Sequence, residues 1–97
     1  MYLTLYFFDG DPRSLIAAHQ RMLAEHYPAQ TLTLNALVRT QTGVAVVDAC
    51  PSRDVFEAFA ASGEFRDAPT AAGLPEPRIQ PLGDVERLHV ADAAVST

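Results

Sequence analysis

Three polar residues interrupt strand-like apolar runs: Tyr6 in Tyr2-Leu3-Thr4-Leu5-Tyr6-Phe7-Phe8, Asn35 between Leu34 and Ala36, and Asp48 between Val47 and Ala49. Along a strand, successive side chains point to opposite faces, so parity decides which of them meet. If odd residues of the second run pair with even residues of the third, Asn35 and Arg39 share a face with Asp48 and Cys50. Thr4 and Tyr6 then point the same way. An apolar pocket with a few convergent polar groups orients a phenol, a quinone or an enone. Asp48, partly desolvated there, would hold its proton to higher pH and could transfer it. Tyr6, Asn35 and Asp48 are therefore the candidate catalytic residues. Thr4, Leu37, Arg39 and Val46 are the candidate ligand contacts. Each also has a plainer role. Arg39 beside a turn is solvated or pairs with Asp48, Asn35 satisfies backbone, and Tyr6 is core with its hydroxyl at the rim. A glycine bulge in the hairpin would change the parity.

Other reactive side chains offer less. His19 and His26 are two helical turns apart, whereas chelation from one helix wants three or four residues, so they read as core or rim histidines. His89 has no evident partner. Cys50 has only Arg53 nearby as a cation and reads as an inert thiol, and a single cysteine forms no internal disulfide, which suits a reducing cytoplasm. All seven basic residues are arginine, which excludes a Schiff-base lysine. No Gly-rich phosphate loop, cysteine pair or nucleophile elbow occurs. The expectation is therefore no metal and no cofactor.

The elements that would position these residues follow from turn and cap signals. Tyr2 to Phe8 is a strand ended by Asp9-Gly10. Asp11 is an N-cap and Pro12 a first helical residue for a helix to about Tyr27, stopped by Pro28. Its apolar face carries Leu15, Ile16, His19, Met22 and Leu23. Thr31 to Thr40 alternates as a strand, and Gln41-Thr42-Gly43 turns the chain, with Gly43 free to take positive φ. Val44 to Cys50 returns. Ser52 caps a second helix presenting Val55, Phe56 and Phe59. A short helix, Glu64 to about Ala72, would be broken or kinked by Pro69. Arg78 to Leu82 is a strand that Pro81 assigns to a sheet edge. Val85 to Val90 reads as one further short strand.

The order β-α-β-β-α-β makes one α+β domain over 1–90, a ferredoxin-like four-stranded antiparallel sheet with both helices on one face, and 91–97 reads as a flexible tail. Ninety-seven residues suffice for one core and not two. A net charge of −5 disfavours nucleic acid as a partner, and the short N-terminal apolar run, lacking a basic flank, is neither a signal peptide nor a membrane span. The expected helix-side residues are Leu3, Leu5, Phe7, Leu32, Leu34, Ala36, Val38, Val47 and Ile79. Tyr2, Thr4, Tyr6, Phe8, Leu37, Val44, Val46 and Leu82 then lie opposite. That second face, about 440 Å² in projection, is too apolar for a monomer to leave uncovered, and a homodimer formed sheet to sheet would bury it.

This order of elements resembles the dimeric α+β barrel superfamily over nearly the whole chain. Pro51-Ser52-Arg53-Asp54-Val55-Phe56-Glu57-Ala58-Phe59, Ser62-Gly63-Glu64-Phe65-Arg66 and Ala72-Gly73-Leu74-Pro75-Glu76-Pro77 are similar to small barrel proteins of the antibiotic-biosynthesis-monooxygenase type. The resemblance implies a cofactor-independent oxygenase or isomerase acting on a hydrophobic, aromatic or polyketide-like small molecule, or a non-catalytic dimeric module. The haem-degrading branch does not fit, because the chain has no tryptophan and its second helix no histidine. Parity and resemblance together place Tyr6, Asn35 and Asp48 in one cavity, on the sheet face away from His19 and Leu34.

Overall fold

The structure is a computed structural model that describes residues 1–26 and 33–91. Its elements are β1 (Tyr2–Asp9), α1 (Pro12–His26), β2 (Leu34–Arg39), β3 (Gly43–Cys50), α2 (Arg53–Ala60), α3 (Gly63–Ala71) and β4 (Arg78–Asp84). The four strands form one antiparallel sheet in the order β2-β3-β1-β4. Among the described residues this is an α+β architecture with three helices. Pro81 does sit on an edge strand, where its missing N–H breaks no ladder on the outer side. Tyr27, Thr31, Leu32, the side chain of His26 and the expected tail beyond Ala91 lie outside the described residues.

Local chemistry explains the boundaries. Asp11 caps α1: its Oδ2 accepts from the Ser14 N–H at 3.0 Å, and its carbonyl accepts from Leu15. Ser52 and Ser62 cap α2 and α3 by accepting from the Val55 and Phe65 N–H groups, each at 3.2 Å. Pro69, expected to break or kink the third helix, does not break it. It falls in the last turn, where only one ladder bond is lost, and the end is closed by a Schellman arrangement. There Gly73 (φ 91°) donates to the Thr70 carbonyl and Leu74 to the Pro69 carbonyl, at 2.8 Å for the latter. Leu74, in the loop that follows, is thereby pinned into the core. Val85–Val90 forms no strand. Past the Val85 N–H bond to Met1 the segment pairs with nothing regular and is largely exposed.

The register fixes the faces. One face carries the rows Asn35–Asp48–Thr4–Pro81, Leu37–Val46–Tyr6–Ile79 and Arg39–Val44–Phe8. The other carries Leu34–Ala49–Leu3, Ala36–Val47–Leu5–Gln80 and Val38–Ala45–Phe7–Arg78. The core cluster joins Tyr6, Phe8, Val44 and Val46 to Leu15, Ala18 and Met22 of α1, Phe56 of α2 and Ala68 of α3. The expected faces are thus exchanged: Leu3, Leu5, Phe7, Leu34, Ala36, Val38 and Val47 lie on the face away from that cluster, and only Ile79 keeps its expected side. The reason is packing. Tyr6 and Phe8 belong to the buried cluster and Tyr2 packs on Phe56 of α2, its ring 5.5 Å away, whereas Phe7 packs under the Arg78 guanidinium.

Gly43 is required for a different reason from the one its position suggests. Its φ is not positive. A Cβ there would collide with the Phe8 carbonyl oxygen and lie 3.0 Å from the Gly10 nitrogen, both backbone atoms with no freedom to yield. Gly43→Ala should therefore cost more than about 2 kcal/mol and lower the melting temperature by roughly 8 °C or more. Gly63→Ala, which meets only the Asp67 carboxylate at 3.9 Å, should stay within about 0.5 kcal/mol of the parent protein. Thermal unfolding followed by circular dichroism checks both.

Candidate functional site

Between the sheet and the helices lies a half-open cavity of about 440 Å³. The sheet supplies its floor with Tyr6, Phe8, Asn35, Val46, Asp48 and Ile79. His19, Met22 and Leu23 of α1 form one wall, and Phe59, Phe65 and Pro69 another. Pro75, Glu76 and Pro77 edge it. The aromatic wall is a packed chain: Phe59 and Phe65 meet edge to face at 4.8 Å, and Phe65 leans on Tyr6 at 5.9 Å.

Asp48 sits at the centre of one cross-strand row, between Asn35 on β2 and Thr4 on β1. Burial pushes its carboxyl pKa up, while hydrogen bonds from the Asn35 side chain and the Ala49 backbone pull in the opposite sense and lose. The same burial, with the Asp48 charge adding to it, raises the Cys50 thiol and keeps it protonated. His19 is 3% exposed, and burial lowers its pKa, so the imidazole is held neutral. Its Nδ1 and the Thr4 Oγ1 have no hydrogen-bond partner among the described residues. A polar atom left dry in this way costs on the order of 1–3 kcal/mol.

The arrangement differs from expectation in one decisive respect. Tyr6, Asn35 and Asp48 do line a single cavity, opposite Leu34, but His19 is in that cavity and not across the sheet from it. Among the expected ligand contacts, Val46 lines the cavity, Leu37 packs against the core beside it, Thr4 is buried next to Asp48, and Arg39 is exposed at the end of β2. Sequence reasoning missed His19 and the Phe59–Phe65 wall. Both sat on apolar helix faces, but which sheet face those helices cover was not readable from spacing.

Chemically, the cavity offers one carboxyl able to move a proton and one neutral imidazole, in an apolar, aromatic setting. Asp48 and Glu76 line it, so a carboxylate or phosphate ligand meets like charge there. No group of three or more His, Cys, Asp or Glu residues suited to a metal ion occurs among the described residues. No helix among them is long and apolar enough to cross a membrane. No protein-family model matches the chain, and no curated protein matches it.

Burial gives the site a pH signature. Because the Asp48 pKa is raised above the ordinary 3.8, the folded protein keeps this proton to higher pH than the unfolded chain does. Asp48 therefore favours folding at acid pH, and the advantage is lost as pH rises through the shifted value. Asp48→Asn should melt at or above the parent temperature at pH 7, with the difference closing below pH 3.8. A variant that melts lower at pH 7 would show that the ionised carboxylate is a structural anchor.

Proposed function

We propose that this chain is a homodimeric protein of the dimeric α+β barrel type that binds a neutral, hydrophobic, aromatic or polyketide-like small molecule beneath its helices. The observation that carries the reading is the cavity whose floor presents Asp48, braced by Asn35, within an aromatic lining. A volume of about 440 Å³ suits a bicyclic or tricyclic ligand, within the ordinary range of small-molecule sites. Asp48 takes a proton from the ligand's hydroxyl or activated C–H, and Asn35 holds the carboxyl in place. In an isomerase the proton returns at another carbon. In a cofactor-independent monooxygenase the resulting anion reacts with dioxygen. The half-buried, protonated Cys50 suits a reducing, cytoplasmic setting.

The dimer rests on the second sheet face, where Leu3, Leu5, Phe7, Leu34, Ala36, Val38 and Val47 form a nearly unbroken apolar surface, with Arg78 and Gln80 at its rim. Val38 is 45% exposed there. A second copy, self-complementary across a two-fold axis, would cover it.

Sedimentation equilibrium at micromolar concentration should give twice the chain mass, and Val47→Glu, which puts a charge in the middle of this face, should weaken the dimer roughly tenfold or more. A monomeric parent protein would remove the dimer from the proposal. For the chemistry, 2-tetralone is a suitable neutral bicyclic probe. The protein should speed exchange of its α-hydrogens with deuterium oxide, read by proton NMR, and Asp48→Asn should bind the ketone as before yet lose about 100-fold of that rate. Binding without accelerated exchange would favour the non-catalytic module.

A further inference from the structure

Pro75, Glu76 and Pro77 edge the cavity, and Glu76 is exposed there. The strap they form is held at both ends. Leu74 before it is 5% exposed in the core, its N–H bonded to the Pro69 carbonyl at 2.8 Å. After it, Arg78 enters β4 and pairs with Phe7. Proline follows both Leu74 and Glu76, which keeps each out of helical backbone and leaves little freedom between the two anchors. Glu76 therefore stands at a fixed place on the rim.

Arginines that adjoin the strap are engaged elsewhere. Arg78 lies on the opposite face of the sheet, over the Phe7 ring at 5.2 Å and 3.5 Å from Asp9. Arg21 donates to the Ala72 carbonyl at 3.1 Å. Asp48 stands on the sheet floor, where the Asn35 side chain and the Ala49 backbone donate to it. Of these two carboxyls, Glu76 is the exposed one that an entering ligand meets at the edge.

Resting on the ligand-site reading above, we infer that Glu76 sets the charge the site accepts: from the rim it slows the entry of anionic ligands and lets neutral ones of the same frame pass. The field of a rim charge acts on association and is screened by salt, whereas a contact made inside the site acts on dissociation. Specificity for charge then belongs to the rim, and proton transfer to the floor.

The test compares 2-naphthamide with 2-naphthoate, a neutral and an anionic head group on one bicyclic frame. Binding rates are followed by stopped-flow fluorescence at ionic strengths of about 0.01 M and about 1 M, where the screening lengths are about 30 Å and about 3 Å. In the parent protein the amide should bind more tightly, by a margin that narrows at high salt. Glu76→Gln should narrow the low-salt margin about threefold and Glu76→Arg about tenfold, chiefly through faster association of the naphthoate. A margin unchanged in both variants, changed only through dissociation, or indifferent to salt overturns the inference and leaves the cavity a ligand site. If the parent protein binds neither probe, the ligand-site reading falls and this inference with it. Circular dichroism checks the fold of each variant. Should Glu76→Arg fail to fold, Glu76→Gln and the salt dependence of the parent protein decide.

Discussion

The register between β1 and β3 is the constraint from which the rest follows. Thr4 opposite Asp48, and Tyr6 opposite Val46, commit every second residue of the two central strands to one side. Asn35 opposite Asp48 extends that commitment to β2. Because side chains alternate with a period of two, a one-residue slip would carry Asp48 and both tyrosines to the face away from the core cluster and leave Leu3, Leu5 and Phe7 beneath the helices. The lack of a Cβ at Gly43 lets its backbone approach the Phe8 carbonyl at the end of this pairing, and the hydrogen bond from the Thr42 hydroxyl to Asp9, at 3.1 Å, ties the hairpin to the end of β1.

Given that register, the helical layer decides whether there is a core or a cavity. α1 is joined to the end of α3 by the Arg21 guanidinium, which donates to the Ala72 carbonyl at 3.1 Å, and the Schellman end of α3 turns Leu74 inward. These contacts brace the helices over Tyr6, Phe8 and Val44, where packing is dense. Toward Asp48 the lining gives way to space. Folding accepts three unfavourable terms there: a carboxyl pushed up by burial, a neutral buried imidazole, and the isolated Thr4 hydroxyl. An apolar residue at any of these positions would remove the local penalty, and strain retained in this way is what a binding site needs.

Much of this was legible in the chain. The caps at Asp11 and Ser52, the edge position of Pro81 and the grouping of Tyr6, Asn35 and Asp48 follow from residue type and spacing, whereas the cap at Ser62 was not read from them. What spacing could not supply was which of two apolar faces the helices cover. Leu3, Leu5 and Phe7 are as apolar a set as Tyr2, Tyr6 and Phe8, so hydrophobicity carries no sign. That one ambiguity hid the role of His19, which was placed correctly on its helix and on the wrong side of the sheet. Pro69 shows a similar limit, since its effect depends on where the helix ends, and Gly73 sets that end.

The most direct measurement is the position of a bound aromatic probe, read from intermolecular nuclear Overhauser effects between 2-naphthol and assigned methyl groups. Occupation of the space between helices and sheet predicts contacts to the methyls of Val46, Met22 and Leu23. Contacts to Leu5 and Val47 instead would put the probe on the sheet face away from the core cluster and contradict the assignment of Asp48 and His19 to a ligand site.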